Sequence, residues 1–162
     1  MEMHHTNKTG NANTMQYKKL LLMVILSYIA MYILMYSMVD RLANVIPNIN
    51  QFYMAGLMAA PMAIIELALM GSMYKNRKLN LFIILISCIV LIMCFLFIRN
   101  QTAVSERQFL KSMIPHHASA ILMVKETEIS DPEIKQLAND IISSQQKEIE
   151  FMKAKLKEMD KK

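Results

Sequence analysis

Apolar positions are arranged in two different ways along this chain. Residues 20–39 carry no charge, residues 52–74 carry Glu66 alone, and residues 79–98 carry none. From Arg99 onward the apolar positions instead recur every three or four residues among Lys and Glu. A helix rises about 1.5 Å per residue, so about 20 apolar residues cross the hydrocarbon core. In lipid, backbone polar groups must be paired within the segment, which leaves helix as the form for such a run. The pattern predicts an all-α chain. A polar tail (1–19) leads to three transmembrane helices (20–39, 52–74 and 79–98), followed by a helical domain (99–162). The first run exceeds the roughly 7–15 residues of a secretory signal core. Asp40-Arg41-Leu42 follows it in place of a small-residue cleavage site, so a retained helix is expected.

The last segment reads as a helical hairpin. Val104, Phe109, Met113, His117, Ala120 and Val124 recur at helical steps, with Pro115 expected to kink or restart that helix. Ser130-Asp131-Pro132-Glu133 is a helix start, with Ser130 and Glu133 fitting a capping box and Pro132 the first turn. Ile134, Leu137, Ala138, Ile141, Gln145, Glu148, Ile149, Met152, Leu156 and Met159 then form one stripe. Two amphipathic helices make a poor core by themselves. A homodimer or higher oligomer, pairing two hairpins as a four-helix bundle, is expected, with docking on the membrane part as the alternative.

Charge sets the orientation. Lys8, Lys18, Lys19, Lys75, Arg77 and Lys78 fall on one side of three spans, and Arg41 on the other. The positive-inside rule places the N-terminus and the 75–78 loop in the cytoplasm. The expected location is a bacterial inner (cytoplasmic) membrane, with the C-terminal domain periplasmic. The net charge of +5 then reflects orientation. No basic patch interleaved with aromatics calls for nucleic acid, and the expected partners are membrane lipid and a metal ion.

Composition adds the candidate chemistry. The chain has 17 Met, and its four His form two adjacent pairs, His4-His5 and His116-His117. With Met113 at zero on an ideal helix, His116 falls at about −60°, His117 at about +40°, Ala120 at about −20° and Met123 at about −80°. One sector thus holds two thioethers and two imidazoles around a small alanine. Such soft donors suit copper, above all Cu(I). Oxygen-loving ions would want more carboxylates, and zinc more often shows Cys or other His spacings. On the second helix, Met152 could complete the site and Glu148 could orient a histidine. The competing reading is plain packing: Met at helical spacing is usually core.

Other signals are weaker. Met54, Met58, Met62, Glu66 and Met70 repeat every four residues along the second span. A thioether track is one reading and helix packing the simpler one. Glu66 is expected near mid-membrane, facing the bundle. Cys88 and Cys94 are expected to be packing thiols, and His4-His5 part of a disordered tail. No nucleophile–base pair, phosphate loop or Glu-x-x-His pair is present, so no enzyme is expected. Three spans are few for a transporter.

The stretch Phe109-Leu110-Lys111-Ser112-Met113-Ile114-Pro115-His116-His117 through Ala120 and Met123 resembles the signature of the family catalogued as domain of unknown function 305. So does Asp131-Pro132-Glu133-Ile134, followed by Leu137-Ala138, Ile141-Ile142, Gln145, Glu148-Ile149 and Met152. The transmembrane part, around residues 73–80, is similar to a membrane-anchored branch of it. The resemblance implies a ferritin-like four-helix bundle, of which this chain supplies half, completed by dimerisation. It also implies extracytoplasmic copper binding in copper homeostasis or resistance. Its ligand candidates are Met113, His116, His117, Met123 and Met152. The rival is a membrane-anchored helical interaction module with no metal role.

Overall fold

The computed structural model of the protein describes residues 3–161, with side chains from Thr14 onward. Helix α1 spans Met3–Leu34, α2 Ile49–Leu69, α3 Arg77–Arg99, α4 Glu106–Glu126 and α5 Pro132–Met159. Two 3-10 turns, Met35–Met38 and Leu42–Asn44, lie between α1 and α2. No strand occurs among the described residues. Three helices are long and apolar enough to cross a membrane, over Thr14–Met38, Ile49–Leu69 and Arg77–Arg99. The chain divides into two compact units. One takes the chain as far as Tyr32 together with Tyr53–Thr102; the other takes Ile33–Phe52 and the chain from Ala103 onward.

Helix α1 begins at Met3, so helix occupies the described part of the polar tail where an irregular segment is expected. Once the apolar run has nucleated, each added residue gains a hydrogen bond at little further cost. The side chains of His4 and His5 lie outside the described residues.

In the first unit α2 buries its small residues. Ala55, Gly56, Ala59, Ala60 and Ala63 line its inner face with Tyr53 and Leu67. Small side chains let helix backbones approach closely. At Gly56 a Cβ would lie 2.8 Å from Cys94 Sγ, so this thiol packs into the space that glycine leaves. Cys88 and Cys94 are both free. Met54, Met58 and Met70 are exposed. The methionine row therefore runs along the flank of the unit and does not line its interior.

The second span is shorter than its apolar run. Helix α2 stops at Leu69, and Met70–Tyr74 form a turn in which Met73 N bonds Met70 O and Tyr74 N bonds Gly71 O. Glu66 consequently sits in the last turn of α2 and not at mid-span. A carboxylate opposes the helix dipole at that end, and Tyr74 offsets this by donating its hydroxyl to Glu66 Oε1 at 3.1 Å.

The second unit is built on the antiparallel hairpin of α4 and α5. Ile114, Ala118, Ile121, Ile149 and Met152 form its buried seam, with Met113, Leu110 and Leu156 packed against it. Helix α4 runs unbroken through Pro115, which is itself buried. The buried face of α4 is therefore centred on Ile114, His117, Ala118 and Ile121. Phe109, on the same helical repeat, is exposed, as are Ile134 and Leu137 at the start of α5. Asp131 caps α5, accepting from Glu133 N at 2.9 Å and Ile134 N at 3.0 Å. A carboxylate is the better acceptor at a helix N-terminus, so it takes the role expected of Ser130.

Residues 39–50 form a strap across this hairpin. Val39 and Ile46 pack on the seam, and the remaining contacts are polar. Lys153 Nζ donates to Ala43 O at 2.9 Å and Asn44 Oδ1 at 2.5 Å. Ser112 Oγ lies 3.2 Å from Asn48 Oδ1, and Ile49 N donates to Gln108 Oε1 at 3.1 Å. Asn44 and Asn48 are buried at 2% and 6% exposure. Asn44 Nδ2 donates to Asp40 Oδ1 at 2.5 Å, and Arg41 Nε to Asp40 Oδ2 at 3.0 Å.

Three outcomes are expected. Asn44→Ala removes one hydrogen-bond partner each from Lys153 and Asp40 and lowers unfolding stability by about 1–3 kcal/mol, read from thermal melts of the solubilised protein. Burial raises the carboxyl pKa of Asp40, but hydrogen bonds from Asn44 and Arg41 and the Arg41 charge outweigh it and leave the value below the usual one. With the folded value depressed, the stability Asp40 contributes is complete above about pH 4 and is lost as pH falls through the lowered value. Asp40→Asn therefore flattens the acid limb of the stability–pH curve. Asp131→Ala costs about 0.5–2 kcal/mol, and Ser130→Ala leaves the melt unchanged.

Candidate metal centre

The five ligand candidates fall into two sets. Met113 and His117 stand one turn apart on α4; Met113 packs against the buried seam that Met152 joins from α5, and His117 is buried beside it on α4. His116 and Met123 lie on the outer side of α4 and are exposed, Met123 at 53%. The His116 and His117 rings stand edge to face at 6.0 Å between centroids. The sector that an ideal helix gives the four candidates on α4 is divided by burial, His116 and Met123 being exposed and His117 buried. Its centre lies at the border of the buried face, because Ile114, Ala118 and Ile121 take the seam.

His117 is 7% exposed and both its ring nitrogens are engaged. Nδ1 lies 2.9 Å from Met113 O, and Nε2 lies 2.5 Å from Glu148 Oε2. A carbonyl oxygen only accepts, so Nδ1 carries a hydrogen. Nε2 is left facing the Glu148 carboxylate. The carbonyl bond fixes the ring so that Nε2 is the nitrogen available to a metal. Glu148 is the histidine's partner, as expected, but it sits on the coordinating nitrogen itself. Its side chain is 55% exposed, so it can swing into solvent. Gln145, one turn earlier on α5, has its Oε1 buried without a hydrogen-bond partner.

The donor set discriminates among metals. Among the described residues no group of three or more His, Cys, Asp or Glu is placed to hold an ion, so the hard or zinc-type site has no residues here. What the seam offers is thioether, thioether and imidazole: Met113, Met152 and His117. That set fits a soft ion.

The strap meets this region at both helices. Ser112 and Lys153, which it grips, directly adjoin Met113 and Met152 in the chain. Periodicity could not identify these residues, since each is an ordinary surface polar side chain by pattern. The one available signal was the density of asparagine at 44, 48 and 50, high for a short loop between spans.

The model described as "Domain of unknown function (DUF305)" matches residues 98–156, which take in α4 and most of α5. The chain is also 37% identical over 147 residues to "Uncharacterized protein L153" of Acanthamoeba polyphaga mimivirus, covering 89% of this chain and 95% of that one. The likeness therefore includes most of the membrane-spanning helices as well as the hairpin. No solved structure matches. With the motif from Met113 to Met152 inside the matched region and a relative similar over nearly its whole length, the chain belongs to the DUF305 family.

Proposed function

We propose that this is an integral membrane protein that binds copper as Cu(I) at the α4–α5 seam, for sequestration or hand-over. The observation that supports this best is the grouping of Met113, His117 and Met152, with the His117 ring held so that Nε2 faces outward from its own carbonyl bond. Thioethers and a neutral imidazole are ligands for a soft monovalent ion. Copper is the cargo here. Glu148 works as a gate: its carboxylate occupies Nε2 until the ion takes its place. The exposed pair His116 and Met123 would serve as a first contact from solvent. By the charge rule the N-terminus is cytoplasmic, and three spans put the hairpin on the far face. The viral relative means that this reading need not be confined to a bacterial membrane, since the rule concerns the cytoplasmic side of membranes generally. Phe109 and Phe151, 52% and 66% exposed, flank an open groove of about 890 Å³ with Leu110 and Met159. A second copy covering this apolar surface fits the expected homodimer.

A membrane-anchored helical interaction module is the second reading, and the saturation of His117 favours it. A histidine bonded at both nitrogens can act purely as a staple between α4 and α5.

A Cu(I) competition titration of the full chain in detergent, under reducing conditions, separates the two. Met113→Leu, His117→Ala and Met152→Leu each weaken binding by about tenfold or more, the scale on which metal sites respond to loss of a supporting group. Met123→Leu leaves the affinity within about threefold. Glu148→Gln, whose neutral amide competes less strongly for Nε2 than the carboxylate, binds more tightly. Equal, weak uptake by the wild type and all variants would establish the staple reading.

A further inference from the structure

At one end of the first unit, where α1 enters its apolar run, α2 stops and α3 begins, polar side chains tie the three helices together. Tyr17 donates its hydroxyl to Asn80 Oδ1 at 2.5 Å and lies 3.3 Å from Asn76 O. Asn80 Nδ2 donates to Tyr74 O at 2.8 Å. The Tyr17 and Tyr74 rings stand 5.3 Å apart, over a small core of Leu20 and Leu67. This latch has a consequence for charge. Lys18 and Lys19 directly follow Tyr17, Lys75 follows Tyr74, and Arg77 and Lys78 lie between Asn76 and Asn80. Bonds among the neutral residues therefore gather five exposed cations at one end of the unit.

No ion pair neutralises these cations among the described residues. Glu66, the carboxylate of this end, is engaged by Tyr74. The first turn of α3 holds Arg77 and Lys78 and no acidic residue. The patch also has a defined level. It surrounds the ends of spanning helices and a pair of tyrosines, the residue type enriched at the membrane–water boundary. Anionic lipid phosphates occupy that level.

We propose that this end is a docking surface for the headgroups of anionic phospholipids in the bilayer that the chain spans. The lipid phosphate is held between the Lys18–Lys19 pair of α1 and the Lys75–Lys78 turn. Bridging two elements in this way adds an ionic clamp to the tyrosine–asparagine latch. The inference is independent of the metal reading, since it uses none of the residues of the hairpin.

The test uses the full chain in nanodiscs of phosphatidylcholine containing a minor fraction of phosphatidylglycerol, with native mass spectrometry reading the lipids retained after mild delipidation. Wild-type protein retains phosphatidylglycerol in preference to phosphatidylcholine. Lys75→Gln/Arg77→Gln/Lys78→Gln lowers that preference by about tenfold or more, while Lys75→Arg/Lys78→Arg keeps it. Lys18→Gln/Lys19→Gln, which leaves the turn before α3 intact, lowers it as well and covers the case in which the triple variant does not fold. Equal retention of both lipids, or a preference that survives both neutralised variants, overturns the proposal. Displacement of the lipid by millimolar inorganic phosphate would make this a soluble-anion site and also overturn it. So would tighter binding of a short polynucleotide than of phosphatidylglycerol.

Discussion

The ammonium of Lys153, held by Ala43 O and Asn44 Oδ1, anchors the second unit across more than a hundred residues of sequence. A two-helix hairpin has one seam and cannot cover it from all sides. Val39 and Ile46 supply the missing apolar cover. Apolar contact alone would let a short irregular segment slide, because it has no preferred register. Hydrogen bonds from Lys153 and Ser112 to particular atoms of residues 43–48, and from Ile49 N to Gln108 Oε1, give it one. Each of those polar groups is costly to leave unmade once buried, so the strap and the hairpin specify one another.

The spans were legible because lipid imposes a single crude requirement, an uncharged run of sufficient length. Their ends were not, because hydropathy is blind to hydrogen bonding. The run from 52 to 74 stays apolar past Leu69, yet the backbone turns at Met70–Tyr74 and takes Glu66 out of mid-membrane. A similar blindness affected the hairpin. Periodicity found both helices and the motif. It put Phe109, Ile134 and Leu137 on the same stripes as the seam, and they are exposed, because a stripe shows which residues share a face and not which part of that face has a neighbour. The strap was illegible for a different reason: its partners are far apart in sequence and individually unremarkable.

For the candidate centre, spacing identified the donors, and only the fold could sort them. Met113 and Met152 meet the seam with His117 buried beside it, and His116 and Met123 point away from it. His117 shows why a sequence motif cannot decide between ligand and staple. The same two nitrogens serve either purpose, and the difference lies in whether the carboxylate on Nε2 can be displaced. The exposure of Glu148 makes it mobile enough for exchange, whereas the bond to Met113 O is part of a rigid helix turn.

The strap also bears on what counts as a module. The stretch shared across the family, residues 98–156, reads as a portable piece that could be excised or fused elsewhere. In this chain it is not self-contained, since Lys153, Ser112 and Gln108 find partners in a loop translated some sixty to a hundred residues earlier. A ribosome delivers that loop first, and it waits unpaired until the hairpin emerges. The hairpin of this chain, cut free of that loop, would therefore expose the face that Val39 and Ile46 cover.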